Sequence, residues 1–113
     1  MKTTLTELLE IRYPIVQAPI GSAATAELAA AVSNAGGLGR LAMSWKTLEE
    51  MRVVILKTKS LTSHSFAVNF VLSAEFEHEE RVNVCIEEKV PVVSFSWDDT
   101  TRFYSKLKQV GTQ

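Results

Sequence analysis

The sequence predicts a parallel α/β fold made of four strand–helix units in series, a (β/α)4 arrangement. Three observations carry this. Four apolar, strand-like runs alternate with four amphipathic, helix-like stretches along the 113 residues. The loops between them are short, and repeated strand–helix units with short loops form a parallel sheet with right-handed crossovers. The run Phe66-Ala67-Val68-Asn69-Phe70-Val71-Leu72 is continuous rather than alternating, the pattern of a strand buried on both faces.

Each element has its own signal. The first strand is expected at Tyr13-Pro14-Ile15-Val16-Gln17-Ala18-Pro19, bounded by prolines and followed by Gly21. A helix follows from Thr25, which can cap it, with Glu27 in the first turn where the helix dipole favours negative charge. Leu28, Ala31, Val32 and Ala35 recur at helical spacing and are expected to face inward. Gly36-Gly37 closes that helix, one of the two at the position that needs a positive φ. The second strand is the short run Leu38–Met43. Thr47-Leu48-Glu49-Glu50 then reads as a capping box, opening a helix whose buried stripe is Leu48, Met51, Val54 or Ile55, and Thr58. After the third strand a helix is expected from Glu75, with Val82, Cys85 and Ile86 inward. Pro91–Trp97 is the fourth strand. Asp98 or Asp99 can cap a last helix with Phe103 or Tyr104, Leu107 and Val110 inward and Gly111 closing it. The whole of 1–113 reads as one α/β unit that stops after its fourth helix, where a further strand is expected.

Composition narrows the function classes. Twelve basic against thirteen acidic side chains leave a net charge of −1, without the basic footprint of a nucleic-acid binder. No apolar run approaches the ~20 residues of a membrane helix, and the N-terminus has no secretory h-region. A single cysteine, Cys85, excludes an internal disulfide and a Cys-rich zinc site and fits a reducing, cytoplasmic setting.

In a parallel α/β sheet ligands gather at the carboxyl ends of the strands. Gln17-Ala18-Pro19-Ile20-Gly21-Ser22 is the most distinctive such end: Pro19 removes a backbone donor, and Gly21 lets the chain turn with a ligand close to the main chain. An ordinary βα turn explains the same residues. Asn69 is a buried amide in an apolar strand and must be hydrogen-bonded, either to neighbouring backbone or to a bound polar heterocycle. Gly36-Gly37-Leu38-Gly39 lies between a helix and a strand, at the wrong end of the sheet to hold phosphate, and reads as a tight turn. His64 and His78 are expected at the surface and Cys85 as a buried, inert thiol. Trp45 and Trp97 follow strand ends and can wall a pocket or pack in the core. No residue is assigned as catalytic, and no set of residues has metal-ligand spacing.

The stretch Ile11-Arg12-Tyr13-Pro14-Ile15-Val16-Gln17-Ala18-Pro19-Ile20-Gly21, followed by Glu27-Leu28-Ala29-Ala30-Ala31-Val32-Ser33-Asn34-Ala35-Gly36-Gly37-Leu38-Gly39, closely resembles the opening of the nitronate monooxygenase family, formerly called 2-nitropropane dioxygenases. Phe66-Ala67-Val68-Asn69-Phe70 and Val90-Pro91-Val92-Val93-Ser94-Phe95 agree with it in the same order. The resemblance implies the first half of a TIM (β/α)8 barrel that holds FMN non-covalently and oxidises alkyl nitronates with O2. It implies that the main chain of Ala18, Pro19, Ile20 and Gly21 lies beside the isoalloxazine and that the Asn69 side chain hydrogen-bonds to the cofactor. Ile20 stands where the family usually has Met, Ser22 where it often has Gly, and Ala26 where many members have proline. The family's catalytic histidine and its phosphate-holding loops lie in the second half of the barrel, so neither His64 nor His78 is assigned that role.

The leading expectation is therefore the N-terminal portion of an FMN-dependent, nitronate monooxygenase-like oxidoreductase, inactive or nearly so alone. Its substrates would be a small nitronate or nitroalkane and O2. The alternative is a non-catalytic half-barrel module that self-associates, as a homo-oligomer joined at exposed strand edges, or binds a partner. A flavodoxin-like sheet binding flavin by itself is disfavoured, because no loop resembles a phosphate cradle.

Overall fold

The computed structural model describes residues 2–72, 78–96 and 101–113. They form helices α1 (Thr4–Leu9), α2 (Ala26–Asn34), α3 (Leu48–Leu61), α4 (Glu79–Glu87) and α5 (Thr101–Gln109), with strands β1 (Gly39–Ala42), β2 (Phe66–Val71) and β3 (Val92–Ser96) between them. A short 3-10 turn occupies Gly21–Ala23. The strands make a parallel sheet in the order β1-β2-β3, with Arg40 level with Ala67 and Val92, and Ala42 level with Asn69 and Ser94.

The expected first strand is corrected to a single rung. Val16 bridges Leu38 in parallel: the Leu38 N–H donates to the Ile15 carbonyl and the Gln17 N–H to the Leu38 carbonyl, both at 2.9 Å. The next rung is made by a side chain. Gln17 Nε2 donates to the Arg40 carbonyl at 3.1 Å, and Gln17 Oε1 accepts from the Arg40 N–H at 3.2 Å. The amide thus takes the place of a strand residue, and Pro14 and Pro19 on either side have no N–H to extend the ladder.

Strand residues alternate between two faces. Leu41 and Met43, with Phe66, Val68 and Phe70, point outward into the main core under the helices, where they meet Ala29, Met51, Ile55, Val82, Val84, Cys85 and Phe103. Leu38, Ala67 and Val92 point inward and are covered at the amino end of the sheet by Leu9 and Ile11. The helix that brings Leu9 there, α1, was not expected. Its signal is a capping box with an unusual member, Thr6 in place of Glu: the Thr3 hydroxyl accepts from the Thr6 N–H, and the Thr6 hydroxyl from the Thr3 N–H.

Both later helix starts that rest on a threonine form as expected. Thr25 Oγ1 accepts from the Leu28 N–H, and Thr47 and Glu50 make a reciprocal box, each at 3.1 Å. Met51, Ile55 and Thr58 form the buried stripe of α3. The inward face of α2 is corrected: Ala26, Ala29, Ala30 and Ser33 are buried, whereas Leu28 is exposed. The cause is distance. A methyl group at Gly39 would stand 2.0 Å from the Ala29 carbonyl oxygen, so α2 lies too close to β1 for anything larger than alanine or serine. Gly36, at φ 109°, supplies the positive-φ turn.

His78 is also corrected. It is buried, 3% exposed, and packs edge-on to Phe70 with ring centroids 6.2 Å apart. It precedes α4, which runs from Glu79, rather than lying on the helix's acidic face; the expected start at Glu75 lies outside the described residues. Val82 and Cys85 face inward as expected, and Phe103 and Leu107 do so on α5, but Tyr104 and Val110 are exposed. Gly111, at φ 80°, closes α5. Gln113 then adds a rung to the far side of β3, donating to the Pro91 carbonyl and accepting from the Val93 N–H. Trp97, Asp98 and Asp99 lie outside the described residues.

Candidate functional site

Leu9 of α1 covers the amino end of the sheet's inner face, and at the carboxyl end the described residues include the connections that follow Gln17 and Ala42. Past Gln17 the chain leaves β1 and turns: Ala18 and Ile20 are exposed, Pro19 is half-buried, and the Ile20 carbonyl accepts from the N–H groups of Ala23 and Ala24. Gly21 has φ 32°, and a methyl group added to it would meet nothing within 4 Å. A depression of about 450 Å³ lies here, lined by Gly21, Ser22, Ala42, Trp45, Lys46 and Glu50. Its walls come from two consecutive strand–helix connections, the first after Gln17 and the second after Ala42.

Asn69 does not line that depression. It sits on the inner face of β2, 3% exposed, and is connected to the Gln17 segment through hydrogen bonds. Arg40 Nε donates to the Gln17 carbonyl at 2.9 Å. Arg40 Nη1 donates to Ser94 Oγ at 3.1 Å, and Ser94 Oγ donates to Asn69 Oδ1 at 2.7 Å. One polar chain therefore crosses the inner face from the Gln17 segment through β1 and β3 to β2.

Sequence reasoning singled out Asn69 in this chain, took Gln17 only as part of the distinctive strand end, and gave Arg40 and Ser94 no role. Parity was the available signal: Arg40 shares its face with Leu38 and Ala42, and Ser94 with Val92, so two polar residues stand at inward positions of apolar strands. Partial burial pushes the Arg40 guanidinium below its ordinary pKa by desolvation, yet arginine keeps its charge in proteins. That charge is directed at neutral oxygen atoms, the Gln17 carbonyl and the Ser94 hydroxyl.

The remaining candidates fall elsewhere. His64 is exposed in the loop before β2, away from the strand carboxyl ends. Cys85 is fully buried in α4 and desolvation pushes its thiol up to about 12, which keeps it protonated and unreactive. Trp45 stands exposed at the rim of the carboxyl-end depression. A second depression, of about 430 Å³, lies on the helix side of β3 between Val93, Phe95, Tyr104 and Leu107. Among the described residues no helix is long and apolar enough to cross a membrane.

A parallel sheet covered at its amino end by α1 and polar on its inner face places the chain in a class, the parallel α/β proteins, in which ligands gather at the strand carboxyl ends. Within that class the chain belongs to the nitronate monooxygenase family, whose model matches residues 2–80. It is 40% identical over 98% of its length to the (3aS,4S,5R,7aS)-5-hydroxy-7a-methyl-1-oxo-octahydro-1H-indene-4-carboxyl-CoA dehydrogenase of Mycobacterium tuberculosis, and spans 31% of that protein. With the nitronate monooxygenase of Pseudomonas aeruginosa it shares 46% identity over 61% of its length and 20% of the relative's. Among solved structures, FabK from Thermotoga maritima superposes on the whole chain with a TM-score of 0.93 at 40% identity, the match covering 36% of FabK. The nitroalkane oxidase of Streptomyces ansochromogenes covers 97% of the chain at a TM-score of 0.85 and 29% identity, the match taking in 41% of the oxidase. The chain thus spans about a third of the length of the curated relatives that it matches over nearly its whole extent.

Proposed function

We propose that the chain is the N-terminal portion of an FMN-dependent oxidoreductase that oxidises alkyl nitronates with O2, and that it supplies one wall of the flavin site. The observation that carries this reading is the turn of Ala18, Pro19, Ile20 and Gly21 after Gln17, which brings Gly21 into the wall of the carboxyl-end depression, in a chain of this family. The fit on this side is with a flat ring: Gly21 with open space above it, Ser22 and Ala42 beside it, and the Asn69 amide on the adjoining inner face. Residues for the phosphate and a catalytic base would come from the second half of a barrel. Bound there, the flavin would supply an electron acceptor that O2 reoxidises. This chain's own part is to bind and orient: Ala18–Gly21 against the ring, and Asn69 as a hydrogen-bonding partner.

A second reading is favoured by one comparison. The likeness to the carboxyl-CoA dehydrogenase runs over 98% of this chain, against 61% for the Pseudomonas nitronate monooxygenase. On that reading the same wall serves oxidation of a CoA-linked carbocycle.

Titration of the purified chain with FMN, followed by flavin fluorescence with light scattering on the same sample, tests the proposal. The expected result is saturable quenching by a species of twice the chain mass, two half barrels pairing at their edges. It should weaken at least about fivefold in Asn69→Ala, the loss of one buried hydrogen bond. No binding up to millimolar FMN would leave the non-catalytic half-barrel module.

A further inference from the structure

We propose that Arg40 is a positioning residue for Asn69, acting through Ser94, and that the pair commits the site to a ligand atom that accepts a hydrogen bond. A guanidinium has donors and no acceptor. Arg40 is held at both its root and its tip: the Gln17 side-chain amide bonds its backbone N–H and carbonyl, and the Gln17 carbonyl accepts from its Nε. Its Nη1 therefore reaches Ser94 Oγ from a fixed direction and fills one hydroxyl lone pair. The hydroxyl proton is left to donate, and it goes to Asn69 Oδ1 at 2.7 Å.

Arg40 cannot accept, so it turns the Ser94 hydroxyl proton away from itself and toward Asn69. Because Ser94 donates, the Asn69 atom facing it is oxygen, and both Nδ2–H bonds turn away from β3. Asn69 then offers donors only to whatever binds over the inner face. A carbonyl oxygen or an unprotonated ring nitrogen fits; an ammonium, an imide N–H or another donor does not. The identity of that acceptor as part of a flavin ring rests on the function proposed above, whereas the orientation of the amide does not.

NMR of the 15N,13C-labelled chain without flavin tests the orientation. The expected result is one Asn69 side-chain amide state whose Nδ2 protons give weak NOEs to the Ser94 β protons. Arg40→Met removes the donor that turns the Ser94 proton toward Asn69, and those NOEs should strengthen as the amide turns over. Ser94→Ala should leave the amide in two exchanging states, and Ser94→Thr, which keeps the hydroxyl, should restore the single state. In the FMN titration, Arg40→Met and Ser94→Ala should each raise the dissociation constant about 5- to 20-fold, and the double variant no more than either alone, as expected for one pathway. Strong NOEs from Nδ2 to Ser94 in the parent, or an amide unmoved by either substitution, would overturn the proposal. If Arg40→Met does not fold, the contrast between Ser94→Ala and Ser94→Thr decides. A chain that binds no FMN but shows the expected amide states would sink the flavin reading and leave the positioning role standing.

Discussion

The two faces of the sheet are built from alternate residues of the same strands and have opposite chemistry. The outer face sets Leu41, Met43, Phe66, Val68 and Phe70 into a closed apolar core. The inner face carries Arg40, Asn69 and Ser94 in a hydrogen-bonded chain, and among the described residues its apolar cover lies at its amino end. Apolar packing and polar hydrogen bonding are thereby separated by the period of two, and the parity of a position indicates which of them a substitution will disturb.

The sharpest way to break this division is Gly39→Ala. The added methyl would meet backbone of α2, not a flexible side chain, so α2 must leave β1. Loss of about 3 kcal/mol in urea unfolding, or of the cooperative transition altogether, is expected for such overpacking. An unchanged midpoint would mean that the helix slides freely on the sheet. Met51→Ala comes next: the side chain is fully buried in the outer core, and its truncation should cost about 2–5 kcal/mol. On the inner side, Gln17→Ala removes two bonds to Arg40 that are only partly shielded from water, for an expected loss of about 1 kcal/mol. If Gln17→Ala proved more costly than Met51→Ala, the assignment of stability to the outer face would be wrong.

The smallest effect concerns the capping box of α3. Hydrogen bonds from the Thr47 backbone and hydroxyl hold the exposed Glu50 carboxyl below its usual range. A carboxyl depressed on folding contributes stability above its unfolded pKa, and the contribution is lost as pH falls through the folded value. Parent and Glu50→Gln should therefore differ at neutral pH and converge below about pH 4. Thr47→Ala should lose about 1 kcal/mol at pH 7. Thermal unfolding across pH 3 to 7 reads both.

Long apolar runs and caps were legible in the sequence because their causes are local. Thr25, Thr47, Gly36 and Gly111 each act within a turn of the chain, and β2 announces itself by six consecutive residues of burial or near-burial. What was not legible depends on partners far along the chain. Leu28 has the spacing of a core residue, yet the close approach of Gly39 to Ala29 turns the alanine face inward. His78 looks like one more polar residue among glutamates until the chain folds it against Phe70. At the candidate site, Asn69 stood out as polar in an apolar strand. The roles of Gln17, Arg40 and Ser94 depend on inter-strand register, because Ser94 is level with Asn69 while Arg40 starts one rung pair earlier. The amide of Gln17 standing in for a strand residue has no one-dimensional signature.

The lone thiol of Cys85, walled into the helix side of the core and pushed up to about 12, has a practical consequence. In the folded chain it is sealed from alkylating reagents, so its rate of modification counts how often α4 lifts from the sheet. The molecule carries a built-in clock for its own opening, with no label to be added. A disulfide-linked pair on a non-reducing gel would then date material that had opened, and not an association of folded copies.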